Sequence, residues 1–438
     1  MNAAAPPSDR DVWRIAAPMI LSNVSVPLLG MVDTGVMGHL ESPVYLGAVA
    51  VGSMIFSFLY MGMNFLRMGT TGITAQYFGA RNDDGLRVAL GQAIVVAFAI
   101  ALVMLVLQWP ISQTAVSLVG ASMNVEGHAL QYFSIRIWSA PATLANMVLI
   151  GWFIGLQNAR IPLFIFLTVN ITNIVLDLVF VLVLGMKVDG VALASVIAEY
   201  SGFALGLCFA ARALRQHGGQ WVRSKFVNWR EYAVFFAVNG NLFIRTMALI
   251  FTLAFITAQG ARMGEVILAA NAVLMNLQYL TAFALDGIAH AAEALVGKAI
   301  GEKQRESLQV AVRLSLKWSL LFAAGMTLLY WLGGPLLIAA LTDIPDIREA
   351  AIRYLPWMIL SPLVSVWSFL YDGVYIGATR SREMRNIMLF SAFMVFFPAW
   401  YLLQGYGNDG LWLAFLLFMA SRGIGMHIGY RRTLLPSI

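Results

Sequence analysis

Several side chains in this sequence carry charge or strong hydrogen-bonding capacity where almost everything around them is apolar. Asp33 ends the run Val26-Pro-Leu-Leu-Gly-Met-Val-Asp33. An ionised carboxylate is expensive in such surroundings, so it should be paired, protonated or turned towards a cavity. Low dielectric favours the neutral form, which suits a carrier of protons; a structural hydrogen bond near a helix end is the plainer role. Pro18 and Pro27 lie in the same stretch, and each removes a backbone hydrogen bond and leaves a helix there able to bend. Asn173 and Asp177 are four residues apart, hence on one helical face, with Asn170 about a turn earlier. Ser195, in the next apolar segment, could complete a hydrogen-bonded cluster. Such a stripe can also be inter-helix glue, although an acid is a costly choice for that.

A second group comprises Asp286, His290 and Glu293 at helical spacing, with Asp372 further on. His290-Ala-Ala-Glu293 is not a zinc-protease motif, and no further set of metal ligands is visible. Conformational locking or pairing with basic residues is the expected role, a second ion site the alternative. Glu199 is expected to pair with a loop arginine. Arg136, Arg245 and Arg422 should pair with acids or helix-end carbonyls, and Arg245 could also repel cations.

The elements that must position these residues follow from composition. Of 438 residues, 60% are hydrophobic and only 11% are charged, against about 25% charged in soluble domains. A spanning helix takes about 20 apolar residues. Breaks at charged or Gly/Pro-rich stretches predict spans near 13–36, 43–68, 88–110, 128–155, 161–184 and 190–213. A second set falls near 231–258, 266–290, 308–333, 350–377, 385–403 and 410–430. Nineteen Lys and Arg residues fall on one side of this arrangement, against Lys187, Arg262, Arg348 and Arg353 on the other. That asymmetry places both termini in the cytoplasm and demands an even number of spans. The expectation is an all-α polytopic membrane protein with tails at 1–12 and 431–438. Two lobes at 13–213 and 231–430 are joined by a cytoplasmic linker at 214–230.

Shifting the sequence by 222 residues lays its second half on its first. Gly38 meets Gly260, Gly79 meets Gly301, Tyr132 meets Tyr354, and Gly151 and Gly155 meet Gly373 and Gly377. Each repeat holds an even number of spans, so the two are parallel, as in carriers that work by alternating access. Shared small residues most simply serve close helix packing. Polar residues that break the symmetry are better candidates for function: Asp33 maps to Phe255, Asn173 to Val395, Asp177 to Ala399 and Ser195 to Phe415. The chemistry is expected to sit in the first lobe.

Other classes are excluded on similar grounds. Basic residues are scattered through short loops and form no nucleic-acid patch, despite a net charge of +6. Without a phosphate-cradling loop, ATP is not the expected energy source. The single cysteine, Cys208, lies in an apolar stretch and is expected to be a buried, inert thiol. No signal peptide is evident, and the first apolar segment should remain as a helix. Methionines and aromatics could build an adaptable pocket, but are mostly packing and interfacial residues. Neither an enzyme nor a cofactor is expected.

At this point the residues resemble a known family. The segment from Val26 through Asp33-Thr-Gly-Val-Met-Gly-His39-Leu resembles helix 1 of the multidrug and toxic compound extrusion (MATE) transporters. Gly79-Ala-Arg-Asn and Gly297-Lys-Ala-Ile-Gly301 are similar too. Leu285-Asp-Gly-Ile-Ala-His-Ala-Ala-Glu-Ala-Leu-Val-Gly297 and Gly377-Ala-Thr-Arg-Ser-Arg-Glu-Met-Arg-Asn386 resemble the DNA-damage-inducible (DinF) branch. The resemblance implies a V-shaped pair of six-helix lobes around a central cavity, exporting amphipathic, often cationic compounds by antiport. It implies a coupling network at Asp33, Asn173, Asp177 and Ser195, whose protonation bends helix 1 and displaces the drug. It also matches Tyr132 and Asn146 to positions lining the cavity of that lobe. Serine replaces the commoner threonine at 195. The second-lobe acid on helix 7 of other branches is missing, with Asn239, Asn241 and Arg245 in that region.

The reading that follows is a proton-driven multidrug antiporter of the bacterial inner membrane, working as a monomer among membrane lipids. Sodium at Asp33, Asn173 and Asp177 is the alternative coupling ion. A flippase for lipids or lipid-linked sugars would need a basic cavity, and this network is acidic and amide-rich.

Overall fold

The computed structural model describes residues 6–37, 43–120, 122–222 and 224–437, with side chains described throughout except at 24–37 and 227. Runs of Leu, Ala, Ile, Val and Met bury no polar side chain. In lipid, where a backbone must bond to itself, such runs close as helices. Helix α1 is Asp9–Met37. After it, eleven helices among the described residues are long and apolar enough to cross a membrane: α2 Pro43–Gly79, α3 Asp83–Val106, α4 Met123–Gly155, α5 Arg160–Val183, α6 Val188–His217, α7 Trp229–Arg262, α8 Glu265–Gly301, α9 Arg305–Leu341, α10 Pro345–Gly377, α11 Ser381–Tyr406 and α12 Asn408–Ser437. Short helices at Gln108–Val119 and Ser224–Val227 complete the described secondary structure, which holds no strand among these residues. Leu182, Val183, Leu332, Leu336 and Leu402 lie well exposed, as a lipid-facing belt requires. This is a multi-pass helical membrane protein.

Many helices overrun their expected ends. α8 continues past residue 290 to Gly301 and α9 runs from Arg305 to Leu341. The basic residues treated as breaks lie on helical turns that carry on beyond the apolar core, where charged side chains are solvated. The expected linker shrinks for the same reason, since α6 runs to His217 and α7 starts at Trp229. Cys208, expected to be buried, is exposed on α6. An apolar stretch in a spanning helix has a lipid side as well as a packed side, and composition does not distinguish them.

The internal repeat is realised contact by contact. A Cβ on Gly151 would collide with the Arg67 carbonyl, and one on Gly373 with the Ala289 carbonyl, so α4 crosses α2 as α10 crosses α8. Both partners are displaced by the same 222 residues as the glycines themselves. The turns repeat as well. Arg81 and Lys303 take left-handed backbones (φ 53° and 56°), as do Gln157 and Thr379 (φ 60° and 53°). At each turn the following amide bonds back five residues: Asn82 to Tyr77, Asn158 to Phe153, Gln304 to Ala299 and Arg380 to Tyr375. These bonds satisfy helix-end carbonyls.

The chain divides into two compact units, Leu21–Phe236 and Met1–Ile20 with Ala237–Ile438. The division passes through α1 and through the first turns of α7. In the N-terminal unit the fully buried Trp152 donates to the Leu86 carbonyl at 3.0 Å and packs with Phe153. The segment after α6 belongs to this unit and is tied to α3. Arg87 donates to the carbonyls of Leu214 (2.5 Å) and Gly218 (2.7 Å), and Gln92 to that of Lys225 (2.9 Å). The C-terminal unit is packed around Met358, Trp412, Phe415 and Phe418. The start of α1 joins it through Asp9, which accepts from Trp318 Nε1 at 2.7 Å and Lys317 Nζ at 3.1 Å.

Candidate functional site

Three helices of the N-terminal unit each place a pair of polar side chains four residues apart on an inward face. α4 supplies Tyr132 and Arg136, α5 supplies Asn173 and Asp177, and α6 supplies Ser195 and Glu199. Tyr132, Asn173, Asp177 and Ser195 are buried, and Arg136 and Glu199 half-buried. α4 then narrows into a single 3-10 turn at Ile137–Ser139 just after Arg136. α5 widens into a π-helical segment, Leu178–Val183, just after Asp177. Such local departures from α geometry re-aim side chains and are frequent at functional positions.

The pairs meet in a chain of hydrogen bonds. Arg136 Nη1 donates to Ser195 Oγ at 2.5 Å and to the Tyr132 hydroxyl at 2.9 Å. The Asn173 amide satisfies its neighbours in one orientation. Its oxygen accepts from Ser195 Oγ and from the Ser195 backbone amide, each at 3.2 Å, while its nitrogen donates to Asp177 Oδ2 at 3.2 Å. Every donor in the sequence Arg136, Ser195, Asn173, Asp177 therefore points the same way, from a cation to a carboxylate. α2 closes the other side: Ser53 Oγ lies 3.1 Å from the Tyr132 hydroxyl, and the Phe56 ring lies 5.5 Å from the Arg136 guanidinium carbon. Gly52 allows this, since a Cβ there would run into the Tyr132 ring.

Asn146 sits beside this chain, not in it. Its Nδ2 donates to the Glu199 carboxylate at 2.9 Å and to the Glu199 carbonyl at 3.0 Å. Glu199, expected to meet a loop arginine, is instead held by this buried amide, with the intramembrane Arg136 within electrostatic reach. Spacing identified the face of α6 but not the helix opposite it. Asp33 lies on the helical backbone of α1, and its side chain, like that of Pro27, is outside the described residues. Pro18 lies within the same continuous helix.

The C-terminal unit carries a different arrangement. Asp372 Oδ2 on α10 accepts from Arg422 of α12 at 2.8 Å and from Arg245 of α7, both arginines being buried. Asp286 of α8 lies within electrostatic reach of Arg422. His290 and Glu293 pair with each other in the buried part of α8 at 3.2 Å. Sequence reasoning missed a reciprocal amide pair here: Asn271 and Asn408 donate to each other at 2.8 and 2.9 Å, and Trp412 donates to Asn271 at 3.0 Å. The repeat held the signal, because Asn271 maps onto Val49. Among the described residues no cluster of ligands fit for a metal ion occurs.

The family model for MatE matches the chain twice, over residues 18–179 and 242–402, once in each repeat. The chain belongs to the MatE family of transporters. DNA damage-inducible protein F of Escherichia coli (strain K12) is 44% identical over 97% of this chain and 92% of its own length. A probable multidrug resistance protein NorM of Acinetobacter baylyi is 22% identical over 93% and 92%. Among solved structures, a MATE protein in the bent conformation superposes with a TM-score of 0.89 at 18% identity, covering 98% of this chain and 96% of its own. A MATE protein in the straight conformation gives 0.88 at 19%, covering 99% and 98%. These likenesses carry the two-repeat, twelve-helix MATE fold. In this MatE chain the polar residues of the two units are thus not copies of one another. One unit holds an acid-terminated relay and the other a carboxylate shared by two arginines.

Proposed function

We propose that this MatE-family chain is a secondary active multidrug transporter of the bacterial inner membrane, exporting amphipathic, often cationic compounds in exchange for protons. The observation that carries this reading is the directed chain from Arg136 through Ser195 and Asn173 to Asp177. A buried carboxylate at the end of a donor chain can be ionised, held by those donors, or protonated, in which case one acceptor site becomes a donor. Protonation therefore changes how α4, α5 and α6 are bonded together, a local charge event able to bias a two-state arrangement of helices. Asp33 on α1 is the second proton carrier in this reading, and Pro18 and Pro27 supply the compliance of that helix. A cationic substrate and a proton compete for the same negative charge, which makes exchange obligatory. The excess of basic residues on one side supports a topology with both termini in the cytoplasm.

The test is transport of ethidium in proteoliposomes by the wild type, Asp33→Asn and Asp177→Asn, driven by a proton gradient and separately by a sodium gradient. Proton-driven transport in the wild type should fall by about tenfold or more in either variant, the loss expected when about 1–3 kcal/mol of coupling is removed. Undiminished transport in Asp177→Asn refutes the reading.

A further inference from the structure

The donor chain of the N-terminal unit starts from an intramembrane cation, Arg136, whose effect on the choice of coupling ion the coupling reading leaves open. Arg136 donates to Ser195 and Tyr132, both buried, and faces Asp177 through Asn173 and Ser195. Glu199 of α6 is in electrostatic reach and is held by Asn146. The faces of Phe56 and Tyr132 lie 5.5 and 5.7 Å from the guanidinium carbon. Tyr60 of α2 adds a hydroxyl bonded to Ser139 at 3.0 Å. The oxygens within this network come from tyrosines, serines, amides and two carboxylates, the ligand types that would replace water around a small hard cation. A guanidinium already sits among them. Arginine is the most strongly basic side chain, and Nη1 of this one is held by two hydroxyls.

We propose that Arg136 is the transporter's built-in cation, filling the place among these oxygens that sodium would otherwise take and so restricting coupling to protons. This role for Arg136 rests on the reading of Asp177 and its neighbours as the coupling site. A second full charge beside a fixed guanidinium is repelled in a low-dielectric interior, whereas a proton binds a carboxylate covalently and removes charge. Arg136 also sets the direction of the chain. As a pure donor it obliges Ser195 to pass its own hydrogen on to Asn173, which leaves the amide nitrogen aimed at Asp177. Without it, Ser195 can reverse, and its oxygen and that of Asn173 are freed as ligands. Arg136 is thus a positioning and ion-selectivity residue, and removing it should open the site to sodium.

Purified full-length protein is used for two measurements. The first is saturable binding of radioactive sodium to the wild type and to Asp177→Asn, with choline chloride keeping ionic strength constant. The second is ethidium transport in proteoliposomes under proton or sodium gradients by the wild type, Arg136→Gln and Arg136→Lys. The expected result is no saturable sodium binding to the wild type. Proton-driven transport should drop roughly tenfold in Arg136→Gln, with a new sodium-driven component, and be largely recovered in Arg136→Lys. Saturable sodium binding to the wild type that disappears in Asp177→Asn overturns the proposal, and needs no arginine variant to fold. Arg136→Gln with wild-type ion dependence overturns it too, as does loss of proton drive without any sodium response, which leaves only a structural arginine. If Asp177→Asn keeps full proton-driven transport, the coupling reading itself has failed, and that outcome is distinct from the others.

Discussion

Replacing Asp372 by Asn removes the one carboxylate oxygen on which two buried guanidiniums converge. Arg245 and Arg422 are each less than 5% exposed, so neither can turn to water without disrupting the packing around it. Counting Asp286, the wild-type cluster holds two cations and two anions; the variant leaves one positive charge uncompensated in a membrane-spanning interior. Removing one partner of a buried pair costs about 3–5 kcal/mol. At about 2–4 °C per kcal/mol for a unit of this size, the melting temperature in detergent should fall by about 6–20 °C. The double variant Arg245→Met/Asp372→Asn restores the balance of one cation and one anion, and should recover most of the loss. The assay is thermal unfolding of the purified protein alongside transport in proteoliposomes. A wild-type melting temperature in Asp372→Asn would refute the reasoning. So would a double variant no more stable than the single one, because the loss would then not be electrostatic. Unchanged stability with altered ion dependence would instead make Asp372 part of a second ion site.

Two further outcomes follow from the fold. Gly151→Ala and Gly373→Ala should each cost about 1–3 kcal/mol through overpacking against a carbonyl. Gly325→Ala, whose Cβ meets nothing within 4 Å, should be neutral or stabilising by melting; equal effects at all three positions would remove the packing explanation. Asp9, exposed on α1, has its carboxyl held below the usual range by the Trp318 hydrogen bond and then by Lys317. A depressed native value means that the attachment is fully present above the unfolded carboxylate value and is lost as pH falls through the native one. Hydrogen exchange in residues 9–13, corrected for intrinsic rates, should be flat from about pH 7 to 5 and rise only below about pH 4. That acid step should be absent in Asp9→Asn, and its persistence there would assign it to another group.

The spans and the repeat were legible because hydropathy and a constant offset are properties of the chain itself, independent of which helix faces which. Helix ends were less so: Lys298 and Arg305 read as breaks, yet both lie in helices that outlast the apolar core. Partnerships across helices were the hardest to read. Spacing put Asn173 with Asp177, but nothing in α6 alone says that Glu199 meets Asn146 of α4 rather than a loop arginine. Arg136 was assigned to acids or helix-end carbonyls, and its part in the relay depends on three helices converging, a property of packing that periodicity does not encode.

The repeat explains both what was found and what was missed. Where the halves share a glycine, as at Gly151 and Gly373, the residue makes the same carbonyl contact in both, so agreement there marks scaffold. Where they disagree, the polar member marks a place at which one unit does something the other does not. Looking only for polar residues of the first half over apolar ones of the second picks out Asp33, Asn173, Asp177 and Ser195. The opposite subtraction, Asn271 over Val49, leads to the interlocked amides with Asn408 and Trp412. Those groups are neutral and mutually satisfied, so they gain nothing from a proton and fit a rigid joint. The relay in the N-terminal unit ends on an acid whose protonation would alter every bond along it. Two repeated scaffolds with unlike polar interiors fit the exchange proposed above, in which the N-terminal unit carries the titrating carboxylate.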